Sequence, residues 1–95
     1  MLNSKQIAFL KAKSHSINPV VYIGFKGVTE SVINEININL NAHELIKIKI
    51  KNDSKDERSA ALNLICEEVQ AQPVNHVGKL LVIFRAKKET SLLLP

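Results

Sequence analysis

The sequence predicts an α/β (α+β) domain with elements in the order α-β-α-β-α-β-β and a four-stranded mixed sheet packed with helices. Three observations carry this. Leu45 to Lys51 alternates apolar residues and lysine with the two-residue period of a half-buried strand. Val32, Ile33, Ile36 and Leu40, just before it, recur at helical spacing. Pro73–Val77 and Leu80–Arg85 are strand-like runs separated by Gly78-Lys79, a two-residue hairpin signal.

Taken in order, Ser4 is placed to cap a first helix running to about Lys13, with Ile7, Leu10 and Ala8 on its apolar side. Asn18-Pro19 marks a turn, and Val20–Ile23, bounded by Pro19 and Gly24, reads as a short buried strand. Thr29 is the expected N-cap of the second helix, with Glu30 in its first turn; the helix runs to about Ala42, and His43 suits its negative end. Ile36–Leu40 also alternates as a strand would, but the cap and the length of the periodic stretch decide for helix. In the strand that follows, Ile46, Ile48 and Ile50 face a core while Lys47, Lys49 and Lys51 line the opposite face. Asn52-Asp53-Ser54 ends the strand and offers caps for a third helix, roughly Ser54 to Gln70, with Asp56 and Glu57 in its first turn and Leu62, Ile65, Cys66 and Val69 inward. The closing hairpin is followed by the polar residues 86–91 and the apolar tail Leu92-Leu93-Leu94-Pro95. Strand–helix–strand units imply right-handed crossovers with parallel pairing, to which the hairpin adds an antiparallel pair. Residues 1–95 are expected to form one domain around a single modest core.

Charge is distributed unevenly. The chain carries a net +4. Met1 to Thr29 holds four lysines (Lys5, Lys11, Lys13 and Lys26) and no acid, while the remainder holds nine bases and nine acids. The excess therefore lies in the first third and sets up a local positive field. Catalysis finds little support. His15, His43 and His76 lack metal-ligand spacing, and Cys66 sits on the apolar face of a helix, where an inert buried thiol is expected. Asp53, Asp56, Glu57, Glu67 and Glu68 fall where caps and solvated helix faces account for them. No enzyme activity, cofactor or metal is expected. A single cysteine, no signal-peptide pattern and no apolar run near membrane-spanning length point to a cytoplasmic protein.

The most informative local stretch is Gly24-Phe25-Lys26-Gly27, placed between a strand and a helix. Two glycines three apart let backbone amides approach a ligand closely, the helix behind them carries unpaired N–H groups, and Lys26 adds a full charge. An anion such as a phosphate fits that description. A plain turn needing one positive φ is the competing account. The spacing is neither the dinucleotide fingerprint, which needs a third glycine, nor a P-loop, which needs Gly-Lys-Ser/Thr. Two placements are open to Phe25: against the edge of the core, or stacked on a base. Lys47, Lys49 and Lys51, with Lys79, Arg85, Lys87 and Lys88, are candidates to extend a basic surface; solvated strand, turn and tail positions are the alternative.

Three blocks then resemble one family. Asn18 to Thr29, His43 to Ile50 and Gly78 to Arg85 are similar, in order, to the signature segments of the CRM domain (chloroplast RNA splicing and ribosome maturation). The length resembles that of the stand-alone bacterial members, the YhbY type. The resemblance implies a fold similar to the C-terminal domain of translation initiation factor three and a protein that binds RNA of large-ribosomal-subunit precursors; a monomer is expected. It makes Gly24, Phe25, Lys26 and Gly27 the expected RNA contact; Phe25 departs from the small, polar or basic residue usual at its position. Two alternatives remain at this level: a KH-like nucleic-acid module, whose G-x-x-G loop joins two helices, and a basic domain that binds an acidic protein.

Overall fold

The computed structural model describes residues 2–87 and 94–95. Lys88 and the tail residues Leu92 and Leu93 lie outside the described residues. The order is α1 (Ser4–Ser14), β1 (Pro19–Ile23), α2 (Glu30–His43), β2 (Leu45–Ile50), α3 (Lys55–Val69), β3 (Gln72–Val77) and β4 (Leu80–Phe84), as the sequence predicts.

Local chemistry sets the helix boundaries. Thr29 Oγ1 accepts from Val32 N–H at 3.2 Å, and Ser54 Oγ accepts from Glu57 N–H at 3.2 Å, so α2 and α3 begin at the expected caps. The first helix differs. Asn3, not Ser4, is its N-cap: Asn3 Oδ1 accepts from Gln6 N–H at 2.8 Å while Gln6 Oε1 accepts from Asn3 N–H at 3.0 Å. This reciprocal capping box satisfies two orphan donors at once, which Ser4 has no partner in place to do.

The strands lie in the order β1-β2-β4-β3, with β1 parallel to β2 and the other pairs antiparallel. Composition explains the order. The wholly apolar β4 takes a central place beside β2, whereas Pro19 and Pro73, which cannot donate to a ladder, fall on the edge strands β1 and β3.

The expectation of one core is corrected by the structure: helices cover both faces of the sheet. On one face, Val21, Ile23, Ile46, Ile48, Ile50, Leu81 and Ile83 meet Ile36 and Leu40 of α2 and Leu62, Ile65, Cys66 and Val69 of α3. On the other, Leu10 of α1 joins Leu45, Val74, Val82 and Phe84, with Leu2, Phe9, Ile17 and Leu94 at the margin. Each fully buried aliphatic side chain in such a cluster contributes roughly 1.5–3 kcal/mol. The second cluster is smaller and covers only part of its face. Beyond it, the paired residues Tyr22, Lys49, Leu80 and Val77 form one row across all four strands. Tyr22, Lys49 and Val77 in that row are exposed.

Candidate nucleic-acid interface

Three connections meet at one end of the sheet. The Gly24–Gly27 loop leaves β1, the segment after Ile50 leaves β2, and the Gly78-Lys79 turn joins β3 to β4. Backbone bonds tie them together: Lys51 N–H donates to Ile23 C=O at 2.8 Å, and Ile50 N–H donates to Lys79 C=O at 2.9 Å. The loop is a tight turn closed by Gly27 N–H on Gly24 C=O at 3.1 Å. Gly27 has φ +76°, a conformation that favours glycine. Gly24 has no such requirement, and a Cβ placed on it would meet no atom within 4 Å. The space above Gly24 is therefore open, and nothing inside the protein demands a glycine there.

Phe25 is 85% exposed, which overturns its placement at the core edge. Lys51 Nζ lies 5.3 Å from the centroid of the Phe25 ring, a cation–π contact that contributes about 0.5–1 kcal/mol at an exposed site. Lys26 is exposed at the tip and makes no ion pair or hydrogen bond with the described residues. The helix end behind the loop offers an anion less than expected, because Thr29 takes the Val32 N–H and Glu30 brings a negative charge into the first turn. The loop amides and the surrounding lysines remain as the positive elements.

Beside the loop lies a groove of about 490 Å³ lined by Tyr22, Ile23, Gly24, Lys49, Ile50, Lys51 and Lys79. At its rim Lys79 Nζ pairs with Asp53 Oδ1 at 2.8 Å. The hydrogen bond and charge of Lys79 hold the Asp53 carboxyl below the usual carboxylate range.

The structure thus gathers Gly24, Phe25, Lys26, Gly27, Lys49, Lys51 and Lys79, and separates them from the other sequence candidates. Lys47 is half-buried, in a hollow shared with Ser14 and His15 at the end of α1, so the three lysines of the strand do not form one solvated line. Lys5 and Lys11 are exposed on α1. Lys13 has its Nζ 5.7 Å from the Phe9 ring and lines a groove with Asn18, Val20 and Leu45, where β1 and β2 begin. Lys87 lies toward that far end as well: its N–H donates to Glu44 Oε2 at 3.0 Å and its Nζ to Ala42 C=O at 3.3 Å. Arg85 is tied into the fold. Its guanidinium donates to Asn37 Oδ1 at 2.7 Å, to Val69 C=O at 2.8 Å and to Asn41 Oδ1 at 2.9 Å, binding β4 to α2 and the end of α3. Those bonds use the donors that a phosphate would need.

Sequence reasoning missed three features. Tyr22 stands 64% exposed beside the loop, because Val21 and Ile23 take the inward positions of β1. Glu44 is fully buried with φ 61° and holds Lys87 and, through its backbone oxygen, Arg85 N–H. Arg58 is buried, with Nε donating to His76 Nε2 at 3.2 Å and Nη1 to Asn52 C=O at 2.8 Å, which joins α3 to β3. Burial pushes the Cys66 thiol up to about 11, which suppresses the nucleophilic thiolate. Among the described residues, no group of three or more His, Cys, Asp or Glu side chains could hold a metal ion, and no helix is long and apolar enough to cross a membrane.

A strand before the G-x-x-G loop removes the KH-like alternative, in which a helix stands there. Comparison with known proteins agrees with the geometry. The family model for the CRS1 / YhbY (CRM) domain matches residues 2–85. A Haemophilus influenzae protein named as an RNA-binding protein is 40% identical over 99% of this chain and 95% of its own length. A probable RNA-binding protein of Bacillus subtilis is 29% identical over 94% of this chain and 93% of its own. The solution structure of a Staphylococcus aureus protein, described as a candidate RNA-binding protein, superposes with a TM-score of 0.90 at 31% identity over the whole of both chains. With the loop, the closing hairpin and the strand order all in place, the chain belongs to the CRS1 / YhbY (CRM) domain family.

Proposed function

We propose that residues 1–95 act as one non-catalytic, monomeric RNA-binding unit in the cytoplasm, engaging ribosomal RNA of large-subunit precursors and assisting ribosome assembly. The observation that carries this is the open space over Gly24 beside the unpaired Lys26 and the exposed Lys49 and Lys51. A phosphate can reach the loop amides there without meeting a side chain, and the lysines supply charge along a track rather than at one point. The names of the relatives support RNA as the polyanion. The ribosomal target rests on the likeness to the stand-alone bacterial members of the family.

Phosphate contacts give affinity with little sequence preference. Filter binding of an unpaired RNA tests the loop. Lys26→Ala is expected to weaken binding several-fold and to flatten the dependence of log affinity on log salt by about 0.7, the share of one phosphate on a single strand. Unchanged affinity and slope would remove the loop from the interface. Crosslinking in cells, with sequencing of the bound RNA, tests the ribosomal target.

A further inference from the structure

The groove beside the loop contains more than charge. Tyr22 and Phe25 are 64% and 85% exposed, unusual positions for two aromatic side chains in a chain whose aromatic share is 4%. Neither ring is needed to fill a core cluster. Tyr22 projects from the half of the sheet that α1 leaves uncovered, and its row continues through Lys49 to Leu80 and the exposed Val77. Lys51 joins the two rings: it lines the groove with Tyr22 and sits over the Phe25 ring.

Resting on the RNA-binding reading above, we infer that this groove takes unpaired bases, with Tyr22 and Phe25 as stacking faces and Lys49 and Lys51 beside the phosphates, so that the ligand is single-stranded rather than duplex RNA. A base in a duplex has both faces covered by its neighbours, and an A-form helix presents edges, hydroxyls and phosphates. An exposed ring on an open sheet next to lysines complements the face of a splayed base together with its backbone, whereas duplex recognition would leave both rings idle. The pairing of Lys79 with Asp53 lowers the net charge at one rim and leaves Lys49 and Lys51 as the uncompensated cations of the groove.

Tyr22 is the only tyrosine and the chain has no tryptophan, so intrinsic fluorescence reports on this position alone. The protein is titrated with a single-stranded RNA of about twelve nucleotides and with a blunt duplex of the same length. Saturation with the single strand is expected to quench the tyrosine emission, and the duplex is expected to bind more weakly and quench little. By filter binding, Tyr22→Leu should weaken single-strand binding roughly tenfold, Phe25→Leu several-fold, and Tyr22→Phe, which keeps the ring, should stay near wild type. Both leucine variants place an apolar side chain at an exposed position, so folding is preserved. Wild-type affinity in both leucine variants, emission unchanged at saturation, or equal quenching by the duplex would overturn the stacking assignment while leaving RNA binding intact. Failure of both RNAs to bind would instead remove the RNA-binding reading, and this inference with it.

Discussion

At the loop end of the sheet, Lys26, Lys49 and Lys51 are exposed, whereas toward the far end Arg85 and Lys87 are bound to protein acceptors. All five are cations close to strand ends, and composition does not distinguish them. What separates them is the local supply of oxygen. Near Arg85 stand Asn37, Asn41 and the carbonyl at the end of α3; the Lys87 ammonium meets the carbonyl of Ala42, while its backbone N–H donates to the Glu44 carboxylate. At the loop end, the described acid in an ion pair is Asp53, which takes Lys79. Arg85 and Lys87 direct their charges to acceptors of α2 and α3, and the loop end keeps Lys26, Lys49 and Lys51 available. Basic residues in a sequence mark where positive charge is, and the neighbouring acceptors decide whether a ligand can use it.

Substitutions at the two ends should therefore fail in different ways. The largest effect is expected for Arg85→Ala. Losing a charged donor to acceptors on Asn37, Asn41 and Val69 should cost about 2–3 kcal/mol and lower the melting temperature by roughly 10 °C or more, while the folded fraction binds RNA as before. Thermal denaturation and binding on the same preparation check this; loss of affinity at full stability would move Arg85 into the interface. The loop glycines sharpen the contrast. Gly27→Ala forces an alanine to φ +76° and should destabilise by about 1 kcal/mol. Gly24→Ala adds a methyl to open space and should leave stability within a few tenths of a kcal/mol, yet reduce RNA affinity by closing the approach to the backbone. Urea unfolding beside filter binding separates the two. A Gly24→Ala protein with full affinity would make that glycine a matter of local chain geometry alone.

Much of the fold is legible in the residues because it rests on short-range periodicity. The isoleucine–lysine alternation of β2, the helical spacing in α2, the caps at Thr29 and Ser54 and the Gly78-Lys79 turn each act within a few residues. The Asn3 cap was legible too, since Asn3 and Gln6 have the capping-box spacing, but Ser4 beside it is an equally good cap by residue type. The docking of α1 on the second face is harder to read. Its trace is the unbroken apolar run Leu80–Phe84, which alternation cannot place on one face and which signals a strand buried on both. The candidate site divides in the same way. The loop and its lysines are visible as a motif, and the exposure of Tyr22 follows from alternation in β1. The diversion of Arg85 into the fold depends on Asn37, distant in sequence and brought near only by tertiary packing.

The most direct test of the difference between the two ends is the salt dependence of binding to an unpaired RNA. Wild type, with four to six phosphate contacts, should show log affinity falling with log salt at a slope of roughly −3 to −4. Replacing Lys49 and Lys51 together by alanine should flatten that slope by about 1.4, and replacing Lys87 by alanine should leave it unchanged. A Lys87→Ala slope that flattens as much as the double variant, or a double variant with the wild-type slope, would contradict the assignment of the interface to the loop end.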